Sequence, residues 1–161
     1  MFSHEKNANL KKLDALISEI SSNLEAIEPI IKTCQENQEA RKKKEQTGVL
    51  SVRFENCCLE LLLSSWYIVL PEERMKFLIK FNRLITSTKH KLDMWPEDRF
   101  ADSVENSLIA GLPLSKNGFE TLLKDFIEIR ADYSNNNYQE PKEPCIILAK
   151  PEHEKYLKVT K

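Results

Sequence analysis

Leu10, Leu13, Ile17, Ile20, Leu24, Ile27, Ile31 and Cys34 follow one another at steps of 3, 4, 3, 4, 3, 4 and 3. That is a 3.5-residue repeat, the spacing that keeps one helical seam turned toward a partner helix along its whole length. Lys11, Lys12, Asp14, Glu19, Glu25 and Glu28 lie off the seam, while Leu16 and Ile30 widen its apolar face. A wide face suits a helix bundle better than an isolated two-stranded coil. Pro29 is expected to bend this helix, because its ring clashes with the carbonyl four residues back. Beyond it, residues 35–46 contain no large apolar side chain and carry the basic run Arg41-Lys42-Lys43-Lys44. This stretch reads either as a protruding helical extension or as a connector. Its basic run reads as a solvated charged face, with a phosphate contact or import signal as the alternative.

The remaining chain repeats the helical pattern. Val49 to Leu70 is the most apolar segment, with Leu50, Phe54, Cys57, Cys58, Leu61, Leu62 and Ile68 at helical spacing, and it is expected in mid-core. Pro71-Glu72-Glu73 opens a third helix, since proline loses nothing at the first helical position and early carboxylates favour the dipole. Its core face reads Met75, Leu78, Ile79, Ile85 and Leu92, bordered by Phe77, Phe81 and Leu84. A fourth helix is expected from Pro96 to about Ala110, ended by Gly111 and Pro113. A fifth follows from an N-cap at Ser115 to Tyr133. Ser134-Asn135-Asn136-Asn137, then Pro141 and Pro144, stop regular structure. Cys145-Ile146-Ile147-Leu148 reads as a short strand or an extended strap. The expected architecture is an all-α bundle of four to five helices over residues 1–133, with a long N-terminal helix and a short extended C-terminal segment within 134–161.

Composition narrows function by exclusion. Three glycines in 161 residues, against a usual ~7%, disfavour a phosphate-cradling loop or a dinucleotide fold. A net charge of −1 gives no whole-domain basic footprint for nucleic acid. Cys34, Cys57, Cys58 and Cys145 form no C-x-x-C pair, and His4, His90 and His153 are not spaced as metal ligands. No Glu-x-x-His accompanies the carboxylates, so no metal or cofactor is expected. Cys57 and Cys58 read as small core hydrophobes, and Glu55 and Glu60, if buried, need a partner such as Arg53. Free thiols, the lack of an apolar run over residues 1–9 and the lack of a membrane-length segment give a cytoplasmic expectation, nuclear in a eukaryote.

Two sets of residues point toward chemistry. Lys76, Lys80, Arg83 and Lys91 form a stripe able to contact phosphates. Within it, Arg83 and His90 are seven residues apart, on one side of a helix and about 10 Å apart along its axis. An arginine grips a phosphate bidentately and a histidine moves a proton near neutral pH. The spacing is similar to the Arg-x4–6-His motif of HEPN-type ribonucleases, which are small helical bundles that cleave RNA without metal. The residue after the arginine, commonly polar in that family, is Leu84 here. The resemblance implies Arg83 and His90 as its catalytic pair.

The expected function is a non-catalytic helical interaction or assembly subunit. Its seam residues Leu13, Ile17, Ile20, Leu24, Ile27 and Ile31 either pack within the chain or engage another protein or a second copy. The alternatives are a HEPN-like ribonuclease using Arg83 and His90, and a nucleic-acid binder using the Lys76–Lys91 stripe.

Overall fold

The computed structural model describes residues 2–48, 50, 53–65, 68–69, 72–95, 101–135 and 147–148. The described residues form four helices: α1 (Phe2–Lys42), α2 (Cys57–Ser65), α3 (Glu72–Met94) and α4 (Ala101–Ser134). Two short strands, β1 (Ile68–Val69) and β2 (Ile147–Leu148), pair in parallel. The all-α expectation with a long first helix therefore holds, and Ile147–Leu148 is the strand half of the strand-or-strap alternative. The rest of the expected tail, Cys145 included, lies outside the described residues.

The frame is an antiparallel pair. At 41 residues α1 is about 60 Å long and α4, at 34, about 50 Å. Polar contacts stake out their register from end to end. Asn9 donates to the Tyr133 hydroxyl (3.3 Å), Arg130 bonds Asp14 (2.6 Å), Lys116 pairs with Glu28 (3.0 Å) and Arg41 with Asp102 (2.8 Å). The residues of α1 buried against this frame are Asn9, Leu13, Leu16, Ile20, Asn23, Ile27, Ile30, Cys34 and Asn37. They follow one another at steps of 4 and 3, so the helix does carry a 3.5-residue seam. Its centre is one column away from the purely apolar reading, however. Leu13, Ile20, Ile27 and Cys34 are common to both, while Ile17, Leu24 and Ile31 are half-buried on the flank. Each fully buried Leu or Ile contributes about 1.5–3 kcal/mol.

Asparagine occupies every second heptad of the seam, at 9, 23 and 37. Asn23 and Asn37 act alike. Each carboxamide behaves as a peptide group, donating to a carbonyl and accepting from the N–H of the same residue in the connector that follows α1. Asn23 does this with Glu55 (2.7 and 3.0 Å) and Asn37 with Gly48 (2.6 and 3.0 Å). A polar residue at a seam position fixes register, because sliding the helix leaves its amide without partners.

Three local expectations are corrected. Helix two was expected over 49–70, but α2 spans only Cys57–Ser65; Leu50 and Phe54 reach the core from the non-helical connector. The strap made by Asn23 and Asn37 explains this, since it ties up backbone groups that a helix would need. Helices four and five are one helix, α4, running through Gly111 and Pro113. Pro113 and Pro29 are both solvent-exposed and stand at the same level of the antiparallel pair, flanking the Glu28–Lys116 contact. On the water side a missing helical bond is solvated, and packing of Leu108, Leu112 and Phe119 overrides the local stop signals. Ser115, expected as an N-cap, is buried in mid-helix and bonds the Gly111 carbonyl (3.3 Å). The two prolines expected to open helices, Pro71 and Pro96, lie outside the described residues. The extension ends with α1 at Lys42. Lys44 adopts a left-handed φ of 56°, and Glu45 N–H bonds the Ala40 carbonyl while Lys44 N–H bonds that of Arg41, a Schellman stop.

On α3, Phe81 is buried and Ile79 is 38% exposed, the reverse of the expected order. Gly118 is the reason. A Cβ there would sit 2.3 Å from Phe81 Cε2, so the missing side chain lets the ring lie directly on α4. Phe81 then meets Phe119 edge-on (4.8 Å) and stacks with Phe77 (5.8 Å).

Candidate functional site

Among the described residues, three polar clusters join one element to another, each around a buried polar side chain. In the first, Glu105 of α4 is wholly buried. It accepts from Trp95 Nε1 (2.8 Å), from Asn37 Nδ2 (2.9 Å) and from the Arg41 guanidinium. Both of its oxygens accept from protein donors, and Arg41 supplies the compensating charge. Burial pushes the neighbouring Cys34 thiol up to about 12, with the Glu105 charge adding to the effect. Residues 35–42, read as extension or connector, are thus helical and docked on α4. Gln38 also donates to Asn106 (2.7 Å). Of the basic run, Arg41 is held by Asp102 and Glu105, and Lys42 bonds Glu39 (3.1 Å).

The second cluster sits at the start of α2. Glu19 of α1 accepts from the N–H groups of Cys58 and Leu59 (3.0 Å each), a carboxylate cap delivered from another helix. Asn56 is buried and bridges to Asn82 (2.8 Å), Thr86 (3.2 Å) and Glu60 (3.2 Å), while Lys89 donates to its Oδ1 (3.1 Å). Cys57 is exposed, correcting its core reading, while Cys58 is half-buried and packs against the core. Glu55 and Glu60 are exposed as well, so neither needs the partner expected of a buried carboxylate. A shallow groove of about 260 Å³ beside this cluster is lined by Arg53, Phe54, Glu55, Lys89, Leu92 and Asp93. Its two cations and two anions alternate and give it no net preference for an ion.

The third is an ion pair between Arg74 and Asp125 (3.1 Å), both fully buried at the α3–α4 crossing. Desolvation raises the Asp125 carboxyl to about 7 against the opposing pull of Arg74, and the Glu128 charge pushes the same way as burial. Sequence pattern gave no hint of Arg74, Glu105 or Asp125, because a charge is tolerated inside only where the tertiary fold supplies its partner.

Arg83 and His90 both stand exposed on the outer side of α3, and neither makes a hydrogen bond or ion pair among the described residues. Among the described residues, no side chain from another element hydrogen-bonds to either of them to orient a base or a leaving group. Lys76, Lys80 and Arg83 are exposed and Lys91 half-exposed. Lys76 is engaged by Glu72 (3.1 Å) and Glu73 (3.6 Å) of its own helix. Among the described residues, no three or more His, Cys, Asp and Glu side chains are grouped to hold a metal ion, and no helix is long and apolar enough to cross a membrane.

The seam residues divide into two groups. Leu13, Ile20 and Ile27 are 0–2% exposed and belong to the chain's own core, so they offer no surface to a partner. Ile17, Leu24 and Ile31 keep a half-buried edge. The larger apolar exposure is elsewhere: Leu114 is 70% and Ile127 49% exposed on α4, Leu61 44% on α2, and Ile79 and Leu84 38% and 37% on α3. No family model, curated protein or solved structure matches the chain.

Proposed function

We propose that the protein is a non-catalytic helical subunit that binds another protein through the outer surface of its bundle. The observation that carries this reading is Leu114, a large aliphatic side chain left 70% exposed in the middle of a 34-residue helix, with Leu84 exposed on the neighbouring helix. A single exposed leucine is ordinary, whereas apolar side chains gathered at a helix–helix groove mark an interaction site. The buried polar groups support the same reading from the other side. Glu105, Asn56, Glu19 and the Asn23–Asn37 strap all hold one element against another, which is a scaffold's use of polarity. Free thiols at Cys34, Cys57 and Cys58 suit a reducing compartment, and we place the protein in the cytoplasm.

Native mass measurement of the protein isolated from its source tests this. A stoichiometric hetero-complex is expected; a bare monomer refutes the proposal, and a homodimer replaces the foreign partner with a second copy. In parallel, the purified protein is expected to leave RNA intact in EDTA. Cleavage that His90→Ala abolishes without changing the melting temperature would replace this reading with the ribonuclease one.

A further inference from the structure

Building on the interaction-subunit reading, we infer that the outer groove between α3 and α4 docks an acidic amphipathic helix. Two contacts fix the geometry. Arg74 meets Asp125, and seven residues on along α3, Phe81 lies over Gly118, seven residues back along α4. The helices are therefore antiparallel, and three residues past Phe81 brings Leu84 level with Ser115, one residue from Leu114. Phe77 and Leu84, two turns apart, share one column of α3, and Leu114 precedes Gly118 by about one turn on α4. These positions lie on the side away from Leu78, Ile85, Phe119 and Leu122, which face the core. The result is an apolar strip: Leu84 and Leu114 exposed, with half-buried Phe77 stacked on Phe81 beneath them.

The charge beside that strip has one sign. Between Glu73 and Asp93, α3 carries no acidic residue. Its outward face there presents Lys80, Arg83 and Lys91, none of which has a carboxylate partner among the described residues. Across the groove, the α4 positions on the same side are Ala110, Asn117 and Thr121, which are neutral. A partner helix seated here would bury leucine-like side chains at i, i+3 or i+4 and i+7 on the strip, and set glutamates or aspartates against the lysine edge. From Phe77 to Lys91 the rise is about 21 Å, so roughly four turns of partner are accommodated. A nucleic acid would satisfy the cations and leave Leu84 and Leu114 without a complement, so the apolar strip favours a protein helix.

The test uses fluorescein-labelled helical peptides of about 20 residues with leucines at the anchor spacing, flanked in one by glutamate and in the other by lysine, plus a uridine RNA oligomer. The full chain is expected to bind the acidic peptide at least about tenfold more tightly than the basic one. Leu84→Asp and Leu114→Asp, both at exposed sites, are each expected to weaken it about tenfold, and Lys80→Glu with Lys91→Glu to invert the preference. Circular dichroism confirms that each variant remains folded. Failure of both peptides to bind overturns the inference. So does RNA binding that is indifferent to both leucine variants, which would assign the stripe to phosphate. If the native complex from the source survives Leu84→Asp with Leu114→Asp, this groove is wrong while the subunit reading stands; if the wild-type protein carries no partner, the subunit reading itself falls.

Discussion

Replacing Glu105 with leucine isolates the lock that joins the end of α1 to the start of α4. The carboxylate serves three donors, and their fates after removal differ. Trp95 is 2% exposed and its indole N–H has no other acceptor among the described residues, so it becomes an orphaned buried donor, at about 1–3 kcal/mol. Asn37 still donates to the Gly48 carbonyl. Arg41 keeps Asp102 and has 27% of its side chain in solvent, so losing Glu105 costs it much less than the full penalty for breaking a buried pair, about 1–2 kcal/mol. The sum is about 3 kcal/mol, which for a domain of this size lowers Tm by about 6–12 °C. Glu105→Gln keeps a carbonyl for the indole and loses only the charge, so about 1–2 kcal/mol is expected. Urea unfolding followed by Trp95 fluorescence in a Trp66→Phe background, checked by circular dichroism, measures both. A leucine variant within 1 kcal/mol of wild type, or a glutamine variant as damaging as leucine, would refute the assignment of the indole bond. A double-mutant cycle with Trp95→Phe, followed throughout by circular dichroism because that variant lacks the fluorophore, should recover a coupling of about 1 kcal/mol or more.

Gly118→Ala is expected to lower stability by about 1–3 kcal/mol through the clash with Phe81, read from the urea midpoint, and Phe81→Leu in the same chain should recover part of the loss. The raised carboxyl of Asp125 has a definite sign. Between its unfolded value of 3.8 and about 7 the native state holds a proton that the unfolded state has lost. Its contribution is therefore fully present in acid and fades as pH rises to about 7, by about 1.4 kcal/mol per pH unit. Asp125→Asn should remove that downward slope from a plot of unfolding free energy against pH, and an unchanged slope contradicts the assignment. Thiol labelling at pH 8 in a Cys145→Ser chain should modify exposed Cys57 first and leave Cys34, pushed up to about 12, untouched until the protein unfolds.

The seam of α1 was legible in its period and misplaced in its phase. Apolar side chains at 10, 17, 24 and 31 look like half of a seam, but the true column holds Asn9, Asn23 and Asn37. Counting only hydrophobes steps over these. Their 14-residue spacing on an otherwise aliphatic line was the signal available. Gly111 and Pro113 are strong local stops, and α4 passes through both because its ends are clamped to α1 at Asp102 and Arg130. The stop at Lys44 carries no sequence mark, since lysine rarely adopts a left-handed conformation. Of the candidate surface, the lysine stripe on α3 was readable from helical spacing. The proposed apolar strip beside it was not, because Leu84 and Leu114 come to nearly the same level only once α3 and α4 are set antiparallel.

The long helix uses its seam within its own chain, against α4, and the proposed partner surface on α3 and α4 rests on that. Cysteines at Asp14 and Arg130, which meet at 2.6 Å, in a chain whose own four cysteines are replaced by alanine, test it directly with a short bis-maleimide in dilute solution. A quantitative link within the monomer is the predicted result. Covalent dimers, or no link at all, would show that the seam of α1 belongs to another molecule.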